Sequence, residues 1–293
     1  MFLTLHALRA QDEAIFTHYH INPVLINPAA AGVDDTYQVL LNARASWSGF
    51  PDAPKTYGAQ FNGPLGNTFG FGVGVSSETA AQLSRVRGKL NFAFRFPISE
   101  KIKLSAGFST EFQELKISND VLNNNFFQLG DKILENAMDG EMEFDASLAT
   151  FAVFNEDTYV GLIITNLVKS RLDNIVTEGN QGSLLEYFTL QAGHRIKMYD
   201  LKFSLEPSIL IRQMRDVPFS VDFNLVGSFL EEESLMAGLS YRSIGAVGLL
   251  LGTKLPSFQL FYSYDLSFQK FQQYSGGLHE VTVAISLKRK EKR

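Results

Sequence analysis

One feature constrains this chain more than any other. From Thr36 to Lys288, apolar and polar side chains alternate in stretches mostly of about nine to thirteen residues. A period of two belongs to β-strands whose two faces meet different surroundings. Ile102, Leu104, Ala106, Phe108 and Phe112 alternate with Lys103, Ser105, Gly107, Ser109 and Glu111. Val281, Val283, Ile285 and Leu287 alternate with Glu280, Thr282, Ala284 and Ser286. Fourteen such segments can be read, at 36–45, 54–62, 68–78, 84–97, 101–115, 143–154, 157–166, 185–197, 200–212, 217–230, 233–242, 244–254, 257–266 and 279–288. A tilted strand needs about nine to eleven residues to cross a bilayer. Strands of a soluble sandwich are nearer five or six, and their apolar face needs a second sheet to cover it. The lengths therefore predict an all-β chain, a closed antiparallel transmembrane β-barrel of about fourteen strands.

The connections test this independently. The links GPLGN, ISEK, NED, MYD, LEEE and LPS all follow even-numbered segments, whereas the long links 116–142, 167–184 and 267–278 all follow odd ones. Membrane barrels have short periplasmic turns and longer outer loops, so the parity predicts both chain termini on the periplasmic side. The tight link around Ser243 is the one short outer loop on this reading.

Composition agrees with lipid contact. The chain has 25 Phe, 10 Tyr and 23 Gly, the residues that face lipid and fit bent or crowded strands. No run of eighteen uncharged apolar residues is available for a membrane helix. A net charge of −5, with basic residues concentrated only in the tail 289–293, gives no nucleic-acid footprint. With no Cys there are neither disulfides nor thiolate metal sites. Residues 1–10, MFLTLHALRA, read as a signal-peptide remnant, with Gln11 as the mature N-terminus after cleavage. The organisation expected is remnant 1–10, periplasmic tether 11–35, barrel 36–288 and basic periplasmic tail 289–293.

The N-terminal segment reads QDEAIFTHYHINP at 11–23, then Asn27-Pro28-Ala29-Ala30-Ala31-Gly32. Arg44-Ala45-Ser46-Trp47 follows, and Tyr264-Asp265 with Tyr274-Ser275-Gly276-Gly277-Leu278-His279-Glu280 lies near the end. In that order the three stretches resemble the PorP/SprF family, apart from Ser46 where the family usually has Gln. The resemblance implies an outer-membrane barrel without catalysis or cofactor. It implies association with the type IX secretion machinery, and a role in exporting a surface adhesin or gliding-motility protein that bears a C-terminal sorting domain. The other function weighed is an outer-membrane diffusion channel or ligand-uptake barrel, for which no small-molecule substrate can be named. Fourteen strands make a narrower ring than the 16–18-stranded porins.

Two constellations stand out. Asn-Pro steps stiffen segment 11–35, so it either plugs the barrel mouth or docks a partner. The docking candidates are Phe16, Tyr19, Asn22, Pro23, Asn27, Pro28 and Gly32, with Trp47 from the second motif. Register parity turns Arg44, Asp265 and Glu280 inward near the outer rim, where first and last strands must meet; an ion cluster that pins this seam is expected. Inward Arg85, Arg87, Lys89 and Arg95, with Lys101 and Lys103, are expected to pair with Glu111, Glu143 and Glu206. His279 is expected at the outer interface beside Tyr262, Tyr264 and Phe268. The five His residues lack paired spacing, so no metal site is expected. Gly70-Phe71-Gly72-Val73-Gly74 alternates as a strand, and its glycines leave a smooth inner face with room for a folded segment.

Overall fold

The structure, a computed structural model, describes residues 16–118, 140–168, 187–214, 218–230, 234–268 and 275–288. The remnant 1–10, the tail 289–293, Tyr274 and most of the three long links lie outside the described residues. So do the apolar side chains of the first long link from Val121 to Leu129.

Fourteen antiparallel strands close into a barrel. They are β1 (Thr36–Ala45), β2 (Lys55–Leu65), β3 (Phe69–Ala80), β4 (Leu83–Ser99), β5 (Ile102–Ile117), β6 (Glu141–Phe154) and β7 (Thr158–Ile164). The others are β8 (Phe188–His194, resuming after Arg195 as Ile196–Met198), β9 (Phe203–Gln213), β10 (Ser220–Phe229), β11 (Leu235–Arg242), β12 (Ala246–Leu255), β13 (Phe258–Ser267) and β14 (Leu278–Lys288). Each pairs with its sequence neighbours, and β14 pairs with β1 from Thr36↔Lys288 to Ala45↔His279. Closure leaves no strand edge, so every ladder donor and acceptor has a partner where lipid offers none.

The outer face is an apolar sleeve. Phe92 is 56% exposed and Leu251 61%, values that only a lipid environment makes tolerable over a whole surface. Aromatic pairs such as Phe69–Phe94 and Phe112–Phe144, with ring centroids 5.1 and 4.9 Å apart, join neighbouring strands on that sleeve.

The links sort by parity as expected, with one difference. The β3–β4 link is only Ala81 and Gln82, because β4 and β5 extend to 17 and 16 residues. The end of the barrel carrying the long links therefore has two tight turns, this one and residues 243–245.

The lumen is where the fold departs most from a simple polar channel. Leu40, Phe151, Ile163 and Phe261 point inward and are nearly or fully buried. The first three share a core with Val24, Ala29, Ala30 and Ala31 of the N-terminal segment. A β-barrel interior covered from within can hold apolar side chains, and here the cover is the chain's own beginning.

Candidate functional site

Residues 16–35 form a plug inside the barrel, made of three short 3₁₀ turns: Thr17–His20, Pro23–Leu25 and Pro28–Ala30. The two Asn-Pro steps explain the local geometry. Proline at the first helical position needs no donor and already has the right φ. Asn27 caps its turn by accepting from Ala29 N–H at 2.9 Å.

Contacts made by this short segment span the ring, which only an internal position allows. Thr17 N–H donates to Glu280 on β14, and Asn224 Nδ2 on β10 donates to the Tyr19 hydroxyl. Gln60 Nε2 on β2 donates to Val24 O at 3.2 Å, and Asn27 Nδ2 donates to Thr150 O on β6 at 3.1 Å. Arg95 on β4 donates to Gly32 O at 2.6 Å and pairs with Asp35 at 2.6 Å. The plug thus runs lengthwise, from the level of Glu280 in the long-link half to Asp35 at the start of β1. A free periplasmic tether over 11–35 does not describe residues 16–35: they traverse the lumen, because their apolar and backbone groups find partners there.

At the upper end the plug meets a buried polar cluster. Glu280, fully buried, accepts from Thr17 N–H at 2.8 Å and His18 N–H at 3.2 Å. Arg44 stands opposite it in the seam register, with Nη1 3.9 Å from Oε2. Asp265 is joined to the cluster through Arg242, whose Nη2 lies 3.0 Å from Oδ2. Arg242 also lies 3.6 Å from Asp222, and Tyr19 donates to Asp222 at 3.3 Å. Three residues were singled out from the sequence, and Arg242 and Asp222 were missed. Both lie on the inward parity of their strands, the signal by which they are readable.

His18 Nδ1 lies 2.6 Å from the Thr282 hydroxyl, which also accepts from Asn42 Nδ2 at 2.6 Å. The same Nδ1 lies 3.4 Å from Glu280 Oε1, which joins His18 to the carboxylate that holds the plug.

The docking candidates separate in the structure. Tyr19, Asn22, Asn27 and Pro28 are buried in the lumen, and Phe16 and Pro23 are half-buried. Gly32, with φ +71°, turns the plug toward β1 against Gly63 and Pro64. Asn22 and Pro23 border a larger cavity beside the plug, and Phe16 a smaller one. Trp47 is elsewhere, in the β1–β2 link; the adjacent Ser48 exchanges backbone hydrogen bonds with Gly276 and Gly277.

Arg85, Arg87, Arg95 and Lys103 of the basic ladder are paired, partly with other acids than expected. Arg85 and Arg87 lie 3.6 and 3.9 Å from Glu78, and Arg87 lies 3.7 Å from Glu111. Glu143 takes Gln113, and Glu206 takes Arg195 at 3.0 Å. Lys103 reaches Glu156 in the β6–β7 turn at 3.8 Å. His279 packs against the rings of Tyr262 and Tyr264, and the Tyr262 hydroxyl is 2.8 Å from Nδ1. Among the described residues no group of three His, Asp or Glu side chains is placed to hold a metal ion.

Cavities remain beside the plug, among them two of appreciable size. One of about 430 Å³ opens among Asn22, Val33, Asp34, Lys254 and Gln259 at the short-turn end. One of about 140 Å³ lies among Phe16, Leu25, Ile26, Arg85 and Arg87.

A family model described as type IX secretion system membrane protein PorP/SprF matches residues 8–285. The chain belongs to this family. It is an outer-membrane barrel associated with type IX secretion. Among solved structures it is similar to the Ralstonia pickettii toluene transporter TbuX, at 9% identity and TM-score 0.52, covering 93% of each chain. It is also similar to the CymD monoaromatic hydrocarbon channel, at 10% identity and TM-score 0.51, covering 93% of this chain and 91% of that one. At such identities the likeness is one of fold. No curated protein matches it in sequence.

Proposed function

We propose that this barrel is a non-catalytic partner of the type IX machinery that anchors or assists export of a surface adhesin or gliding-motility protein bearing a C-terminal sorting domain. The observation that carries the reading is the family match over residues 8–285, joined to a lumen already occupied by residues 16–35. A barrel filled by its own chain offers its surfaces and loops, not a conduit. In this reading the long links face the cell exterior and the short turns face the periplasm, the side on which secretion components meet it.

The test is a deletion strain. Loss of one sorting-domain client from the cell surface, restored by the intact gene, supports the role, as does recovery of secretion components after crosslinking in native membranes. Normal export of every such client in the deletion strain refutes it. The second reading is a diffusion or uptake channel, favoured by the 430 Å³ cavity and by the fold shared with hydrocarbon channels. Solute uptake that falls in the deletion strain while export stays normal favours that second reading.

A further inference from the structure

We propose that residues 16–35 are a fixed seal, seated in a groove that the wall is built to supply, so that the assembled barrel passes no ions. The proposal rests on lumen geometry and stands apart from the type IX role.

The wall is cut away where the plug passes. A Cβ on Gly107 of β5 would fall on the backbone of Ala29, and one on Gly70 of β3 would fall on the Ala31 carbonyl. A Cβ on Gly161 of β7 would meet Asn27 Nδ2 at 2.6 Å. Three strands thus give up a side chain where the Asn27-to-Ala31 run lies against them, two making room for plug backbone and one for the Asn27 amide. Apolar packing closes the Asn27-to-Ala31 stretch: Ala29 and Ala31 are 0% exposed, against Ala93, Ala149 and Ile163 of the wall.

Both ends are tied. Glu280 takes two plug N–H groups at the top, and Arg95 holds Gly32 and Asp35 at the bottom. The two cavities lie on opposite sides of the chain at Val24 to Ile26: Asn22 and Val24 line one, Leu25 and Ile26 the other. The first has no lining residue in the Glu280–Arg242 cluster, and the second none at Asp35 or Lys254.

The experiment is conductance of the full-length protein in planar bilayers, with heat-modifiable gel mobility as the check that the barrel is folded. The unaltered protein is expected to give no sustained current steps. Gly107→Val pushes the plug off the wall and is expected to raise mean current at least about tenfold, as an emptied barrel of this strand number would. Ala29→Phe, which leaves every wall strand unchanged, is expected to do the same if Gly107→Val does not fold. A reversible control uses the absence of native cysteine. The Thr17 and Ser263 hydroxyl oxygens are 3.1 Å apart, so the pair Thr17→Cys with Ser263→Cys is placed to form a disulfide. Added to Ala29→Phe, it should cut the current when oxidised and release it on reduction. Steady conductance by the unaltered protein, steady conductance by the oxidised Thr17→Cys/Ser263→Cys pair in the otherwise unaltered chain, or silence of a folded Ala29→Phe variant, overturns the seal. Neither outcome bears on export of a client, which the deletion strain reads separately.

Discussion

The hold of Glu280 on the plug can be tested by deleting a single hydrogen atom's worth of bonding. Thr17 is the first residue of a 3₁₀ turn, and Phe16 before it has φ −63° and ψ 131°. Both conditions suit proline at position 17. Thr17→Pro therefore removes the N–H that donates to Glu280 at 2.8 Å, together with the hydroxyl contact to Ser263 at 3.1 Å. Thr17→Val removes only the hydroxyl contact. A hydrogen bond to a charged group contributes about 1.5–3 kcal/mol, and a neutral one about 1 kcal/mol. Proline returns about 0.4–1 kcal/mol by restricting the unfolded chain. Thr17→Val should thus lose about 1 kcal/mol, and Thr17→Pro about 1–2 kcal/mol more. Guanidinium unfolding of the reconstituted barrel, followed by gel mobility and fluorescence of Trp47, measures both. In a Glu280→Ala background the carboxylate is gone and the difference between the two substitutions should fall below about 0.5 kcal/mol. A Pro–Val difference that is absent in the native background, or equal in both backgrounds, would refute the clasp.

Other consequences are open to measurement. Arg242→Met removes the cation between Asp222 and Asp265, at 3.6 and 3.0 Å, and should cost about 3–5 kcal/mol because two buried carboxylates lose their partner. His279→Ala, at the exposed contact with Tyr262, should shift stability by no more than about 0.5 kcal/mol in the same unfolding assay.

The sequence and the structure agree most where a rule acts strand by strand. Alternation placed Val39 and Leu41 outward and Arg44 inward, and the seam register then set Arg44 opposite Glu280. Segment 36–45 coincides with β1, and 157–166 differs from β7 only at its ends. The smooth glycine face of β3 was legible as space for something inside, although not as the seat of Ala31. Arg242 escaped notice because a strand-terminal arginine looks like a solvated end until β10 and β13 bring Asp222 and Asp265 to it. The acids chosen for the basic ladder were partly wrong because pairing depends on shear between strands, which alternation does not encode.

By itself the sequence determined the strand number, the two faces of each strand and the sorting of links by parity, because these follow from a period of two and a bilayer's thickness. Only the tertiary structure decided that residues 16–35 run lengthwise through the lumen. No periodicity in the segment specifies that path. It is set by long-range partners, Glu280, Thr150, Gln60 and Arg95, which stand together only after the ring has closed. The same closure explains why Leu40, Phe151 and Ile163 can face inward: the plug supplies the apolar surface that water in an open channel would not.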